Sequence, residues 1–194
     1  LFRSALGANI RDYTFFSYRP EEALHISLRE KQVILELLDK INQELQRCID
    51  CYSQKIISKY IELLLDYCER FYERQFITRN EANKQIIGRF NRLLDHHFHT
   101  IQSQSADLPT IEDCAGSLHL SPAYFNDLLE YETGKSFKEY LQFKRFETAK
   151  DWLINTDKPL NQIAQELGFR NAQYFSRLFK KMTGCPPNDF RMPN

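Results

Sequence analysis

Seven residues, Ala115, Leu118, Tyr124, Phe125, Leu128, Gly134 and Tyr140, recur in the same order as Ala164, Leu167, Tyr174, Phe175, Leu178, Gly184 and Phe190, at offsets of 49 and then 50. Apolar residues at three- and four-residue spacings mark one face of a helix, and a glycine after such a run marks its end. The offset changes once, between Leu118 and Tyr124, where a turn between paired helices tolerates an extra residue. One two-helix unit has been used twice.

Local signals place the helices of each copy. In the first, Thr110 and Asp113 form a cap for a helix to about Gly116, and Ser121-Pro122 starts the next helix, with proline at the first helical position. His119 sits in the intervening turn and tolerates positive φ better than most residues, while Gly134 ends the second helix. Ser136 and Glu139 then cap a long helix to about Ile154 that joins the copies. In the second copy a helix from about Leu160 to Leu167 is followed by Gly168-Phe169, and Asn171 caps a helix to about Thr183 that stops at Gly184. These are two helix-turn-helix motifs, at about 110–134 and 160–184.

Ahead of the repeat the chain is also helical. Ser27-Leu28-Arg29-Glu30 has the form of a capping box, and Ile34, Leu37, Leu38, Ile41, Leu45, Cys48 and Ile49 make one apolar stripe. A second stripe is Ile57, Tyr60, Ile61, Leu64, Tyr67, Cys68 and Phe71. The two helices are expected to pair as a hairpin, with surplus apolar surface packing either within the chain or on a second subunit of a homodimer through the 27–79 helices. Thr78-Arg79-Asn80-Glu81 closes the hairpin and caps a third helix, striped by Ile86, Ile87, Phe90, Leu93, Leu94 and Phe98. The domain boundary is placed at about Arg79, giving regions 1–79 and 80–194, and Gln102 to Leu108 reads as a polar loop. Residues 1–20, with Phe15, Phe16 and Tyr18 before Pro20, read as a terminal strand or a short extended arm. The fold class is therefore all-α, with tandem helix-turn-helix subdomains joined by a long helix and preceded by a helical hairpin.

Composition excludes more than it selects. At 194 residues, 42% hydrophobic and 27% charged, the chain has material for one or two globular domains. No apolar run nears the roughly 20 residues of a membrane span, and Leu1-Phe2-Arg3 does not open a signal peptide, so the chain is expected to be cytoplasmic. Five cysteines without a regular framework are expected to be free thiols. Cys48-Ile-Asp-Cys51 lacks the second pair of a zinc site, and of the Asp95, His96, His97 and His99 group only Asp95 and His99 share a helix face. No metal or cofactor is expected, and no nucleophile elbow or phosphate loop gathers Ser, His and Asp into an enzyme site.

The formal net charge of +0 argues against a nucleic-acid binder only until its distribution is seen. Lys158 to Arg191 holds six basic and two acidic residues, whereas Ala106 to Asp157 holds five basic and ten acidic. In the last helix of the repeat, Phe175, Leu178, Phe179 and Met182 share the expected core face, and Ala172, Gln173, Ser176, Arg177, Lys180 and Lys181 share the opposite one. Gln pairs bidentately with adenine and Arg with guanine in the major groove, each discriminating by about 1–3 kcal/mol. Lys180 and Lys181, one turn on, suit phosphates, which add affinity without sequence information. The matching face of the first motif carries Ala123, Asn126, Asp127, Glu130 and Tyr131, and Glu130 would repel phosphate.

Leu160-Asn161-Gln162-Ile163-Ala164, Leu167-Gly168-Phe169, Tyr174 to Lys181, Gly184 and Pro187-Asn188-Asp189-Phe190-Arg191 resemble the signature of the AraC/XylS family of bacterial transcription regulators, with Arg145 and Ala149 also fitting its pattern. The resemblance covers roughly Asn80 to Arg191. It implies two recognition helices in successive major-groove faces of promoter DNA, with Gln173 and Arg177 reading bases in the second motif and Ala123, Asn126 and Asp127 in the first. RNA polymerase is a further partner the resemblance admits. It also implies that residues 1–79 are the end of an N-terminal sensor barrel followed by a linker and dimerisation hairpin, the chain being the rear half of such a regulator. Glu130 and Glu132 stand where the family is usually basic, and Pro186 precedes Pro187. The rival expectation is a helical protein-interaction module with weak or lost DNA binding, which the acidic first motif favours.

Overall fold

In the computed structural model the described residues are 12–100 and 108–191, the side chains of residues 99 and 100 excepted. Among them the fold is all-α, without a β-sheet: α1 Leu28–Gln46, α2 Ser53–Thr78, α3 Asn80–Thr100, α4 Ile111–Ser117, α5 Pro122–Thr133, α6 Phe137–Asn155, α7 Leu160–Glu166, α8 Ala172–Thr183 and α9 Pro187–Arg191. No described helix is long and apolar enough to cross a membrane. The polar loop expected at 102–108 lies outside the described residues except for Leu108.

Two compact units are present. One gathers the described residues up to Asn83 together with Leu120–Leu128, and the other gathers those of Lys84–His119 and from Leu129 onward.

In the first unit, α1 packs on α2 as the paired stripes require. Ser27 and Glu30 close the capping box, with the Glu30 side chain accepting from the Ser27 N–H at 2.7 Å. Arg74 of α2 ties the same carboxylate, donating from Nε at 2.6 Å. The apolar stripe of α1 outruns its helix. α1 stops at Gln46, so Cys48 and Ile49 fall in the connection, where the Asp50 side chain accepts from the N–H groups of Tyr52 and Ser53 and starts α2 instead. Leu37 is buried, but Leu35, Leu38, Leu45 and Ile49 are exposed, an apolar surface larger than the hairpin itself covers. The break at Arg79 is a single residue between α2 and α3, and Asn83 donates to the Phe76 carbonyl at 2.9 Å across it.

The segment before α1 is not a strand over its described length. It forms 3₁₀ turns at Thr14–Ser17 and Pro20–Glu22, joined by extended Tyr18 and Arg19. Proline at the first position of the second turn and the Glu22 carboxylate accepting from the Arg19 N–H at 2.7 Å favour a turn over a ladder. Buried Gln75 of α2 then fastens the following residues, accepting from His25 N–H at 2.8 Å.

In the second unit, Phe90 of α3 meets Phe137 and Tyr140 of α6 at ring distances of 5.9 and 5.7 Å, and Tyr140 donates to Asn91 Oδ1 at 2.8 Å. α6 packs on α9, α7 on α8, and α8 on α9. All five cysteines are free, and burial pushes the Cys114 thiol up to about 11, which leaves it inert. His119 stands at φ 60°, and Gly134, Gly168 and Gly184 also have positive φ.

Gly184, at φ 86° with nothing within 4 Å of an added Cβ, is held by conformation alone. Gly88 is the opposite case, an α3 interior residue where a Cβ would meet only the Arg92 Nη1 at 4.0 Å. Gly184→Ala is expected to destabilise by about 1–2 kcal/mol, and Gly88→Ala to stabilise by about 0.5–1 kcal/mol. Thermal unfolding of the chain followed by circular dichroism checks both signs.

Candidate nucleic-acid interface

The second motif is the cleaner of the two. Asn171 at the start of α8 accepts the Tyr174 N–H on its side chain at 2.7 Å, and Gly184 ends the helix in the left-handed conformation. Between these ends α8 presents Phe175 and Phe179 inward, both fully buried. They belong to a continuous aromatic stack. Phe169 to Phe175, Phe175 to Phe179 and Phe179 to Phe190 lie at 4.9, 5.5 and 5.4 Å, and Phe146 of α6 joins at 5.7 Å from Phe169.

One polar group is built into that stack. Arg145 of α6 is buried, its Nε donates to the Leu167 carbonyl at 2.7 Å, and its guanidinium lies 3.9 Å from the centre of the Phe169 ring. Leu167 caps α7, so the bond satisfies a carbonyl at the end of that helix and fixes the turn leading to α8. Burial pushes the Arg145 pKa down to about 10, still far enough above neutrality to leave the group charged. In sequence this arginine is legible only as a residue that fits the resembled pattern in the long helix.

With its inner face fixed, the outer face of α8 is determined. Gln173, Arg177, Lys180 and Lys181 are exposed, and Ala172 and Ser176 are half-buried beside them. Ser176 donates its hydroxyl to the Ala172 carbonyl at 2.8 Å, so its side chain is turned to its own helix. Lys180 and Lys181 lie in the last turn, where cations favour the negative end of the helix dipole. Met182 departs from expectation. It is 60% exposed rather than core, and the stack is continued from Phe179 by Phe190 instead.

The first motif has the same local devices. Thr110 and Asp113 exchange cap bonds before α4, and Thr110's hydroxyl holds the Asp113 carboxyl below its usual range. Ser121 accepts the Tyr124 N–H at 3.2 Å at the start of α5, whose inward residues Phe125, Leu128 and Leu129 are fully buried. Its outward residues differ from those of α8. Ala123, Asn126 and Asp127 are all half-buried, and Asp127 accepts a 2.6 Å hydrogen bond from the Tyr18 hydroxyl. Glu130 and Tyr131 are exposed.

Other candidate groups do not assemble. Among the described residues no group of three or more His, Cys, Asp or Glu side chains is placed to hold a metal ion. Cys48 and Cys51 are exposed in the α1–α2 connection, His96 is exposed, His97 is half-buried, and Asp95 pairs with Lys144 at 3.6 Å.

Residues 114–192 match the family model described as a helix-turn-helix domain. The chain is 31% identical over 125 residues to the uncharacterized HTH-type transcriptional regulator YtdP of Bacillus subtilis, covering 63% of this chain and 16% of that protein. It is 25% identical over 189 residues to the uncharacterized HTH-type transcriptional regulator YijO of Escherichia coli, covering 97% of this chain and 63% of the relative. It is 35% identical over 135 residues to the arabinose operon regulatory protein of Escherichia coli, covering 69% of this chain and 45% of the relative. The chain thus spans less than two thirds of each of these proteins. It is a helix-turn-helix protein related to several bacterial regulators of that type.

The Arg145 bond carries the geometry of the second motif. Arg145→Met is expected to leave the Leu167 carbonyl unsatisfied and to lower stability by about 1–3 kcal/mol, with Arg145→Lys failing to restore it because a point charge cannot both stack and donate from Nε. Urea unfolding monitored through Trp152, which is buried in α6, checks this.

Proposed function

We propose that the chain is the DNA-reading part of a sequence-specific transcription regulator of the AraC type. The observation that supports this most directly is the outer face of α8, where Gln173, Arg177, Lys180 and Lys181 stand exposed over a rigid aromatic core. Among the described residues, none of these four side chains engages a hydrogen bond or a carboxylate, so none must be stripped of a partner before it meets DNA.

Gln173 and Arg177, four residues apart on one face, read base edges in the major groove, and Lys180 and Lys181 contact the phosphates beside them. Ala172 lies close against the groove and Ser176 supports the helix surface. α5 enters a neighbouring major-groove face with Ala123, Asn126 and Asp127, and its acidic character makes its share of the affinity smaller. Residues 80–194 form the DNA-binding domain in this reading. Residues 1–79 are the end of a sensor domain and a linker whose α1 face, with Leu35, Leu38 and Leu45 exposed, pairs with a second copy. Double-stranded promoter DNA is the principal partner, and RNA polymerase on the same DNA is a further one.

The affinity is expected to fall with rising salt, because phosphate contacts release counterions. In fluorescence-anisotropy titrations with duplexes selected from a random pool, Arg177→Ala should weaken binding by about 1–3 kcal/mol and relax the preference at one base position. Lys181→Ala should weaken all duplexes alike and flatten the salt slope by about one. Salt-independent binding, or identical behaviour of Arg177→Ala and the unchanged chain, contradicts the reading.

A further inference from the structure

The residues that hold the start of α5 come from a distant part of the sequence. Glu22, buried at the end of the second 3₁₀ turn, accepts the Ser121 N–H on Oε1 at 2.6 Å and the Ser121 hydroxyl on Oε2 at 2.5 Å. Four residues earlier, Tyr18 donates its hydroxyl to Asp127 Oδ2 at 2.6 Å and sets its ring edge-on against Tyr124 at 5.1 Å. Tyr72 and Phe76 of α2 complete the seat, the first meeting Tyr18 at 5.1 Å and the second meeting Tyr124 at 5.4 Å. All of these residues belong to one compact unit.

Two features of this seat oppose DNA. A helix-turn-helix presents the amino end of its second helix, with its free N–H groups, toward the phosphate backbone. Here the Ser121 N–H and hydroxyl just ahead of α5 are already taken by an anion, the Glu22 carboxylate, in the manner a phosphate oxygen would take them. The surroundings are acidic as well. Glu69 of α2 has its carboxyl pushed up by burial and then by the nearby Glu73, Asp66 and Asp127 carboxylates. Phosphates approaching this end of α5 meet these carboxylates, which outnumber the Arg79 cation beside Tyr124.

We propose that Tyr18–Glu22 is an intramolecular clamp that keeps the first motif closed to DNA, with Glu22 standing in for a backbone phosphate and Tyr18 withholding Asp127 from base contact. The proposal rests on the DNA-reading role of the two motifs. In the clamped chain the second motif binds alone, and release of α5 from its seat adds the first. Because Tyr18–Glu22 lies a short stretch ahead of α1, any event on the amino-terminal side that pulls this segment shifts the population toward two-motif binding.

The test uses the whole chain and a duplex of about 30 base pairs, long enough for two recognition helices one turn apart, selected from a random pool by the chain itself. Glu22→Gln removes the anion, and Tyr18→Phe removes one hydroxyl and guards against a folding defect, with circular dichroism confirming helix content in both. Each variant is expected to bind the duplex at least about fivefold more tightly than the unchanged chain, the low end of ordinary coupling between sites. In hydrogen exchange, amides of residues 13–22 in the unchanged chain should lose protection when the duplex binds. A residue that merely positioned α5 for DNA would give the reverse, weaker binding and protection kept or gained. Unchanged or weakened binding in both variants overturns the clamp while leaving DNA reading intact. Absence of binding to any duplex by all three chains overturns DNA reading, and the clamp falls with it.

Discussion

The buried Arg145 guanidinium is the contact on which the second motif depends. A charge inside an aromatic stack is tolerated only when it is hydrogen-bonded and stacked, and Arg145 is both, through the Leu167 carbonyl and the face of Phe169. That single group links the long helix α6 to the end of α7 and so to the turn that launches α8. Phe175 and Phe179 lock the inner side of α8 against the same stack, leaving the helix no freedom to rotate about its axis. The inner face thereby decides which residues α8 turns outward. Gln173 and Arg177 are exposed because their helix is held from behind.

The two motifs share their caps, glycines and core spacing and differ in everything they present. α8 offers amide, guanidinium and ammonium groups with open access, whereas α5 offers half-buried Asn126 and Asp127 and exposed Glu130. Affinity for DNA generally comes largely from phosphate neutralisation, so under the proposed function the basic copy dominates and the acidic copy adds discrimination or stays out of contact. The zero net charge of the chain conceals this division. The acidic residues gather in Ala106 to Asp157 and the basic ones in Lys158 to Arg191, so the field of one copy opposes that of the other.

Much of the fold is legible in sequence because it is local. The Ser27–Glu30 and Thr110–Asp113 boxes, Asn171 ahead of α8 and the glycines at 134 and 184 act within a few residues, and the structure places α5, α6 and α8 within a residue or two of the expected ends. Most of what escaped is nonlocal, the end of α1 being the exception. The α1 stripe continues to Ile49 in sequence, yet the Asp50 side chain begins a new helix first. Met182 fits the core period of α8 yet stands exposed, while Phe190, from beyond the end of α8, packs on Phe179. The pairing of Glu22 with Ser121 bridges 99 positions, and no spacing rule reaches that far. Arg145 is visible in sequence as a pattern residue, but its burial follows only from where Leu167 and Phe169 fold back on α6.

Under the proposed function the outward face of α8 meets base edges. The most direct test is nuclear magnetic resonance mapping of the isotope-labelled chain on a selected duplex, following backbone amides together with the Gln173 side-chain NH₂ and the Arg177 Nε–H. The largest shifts are expected on α8, with intermolecular contacts connecting the Gln173 and Arg177 side chains to major-groove protons. Shifts confined to α1 and α2, with both side-chain signals unmoved at saturation, would contradict it.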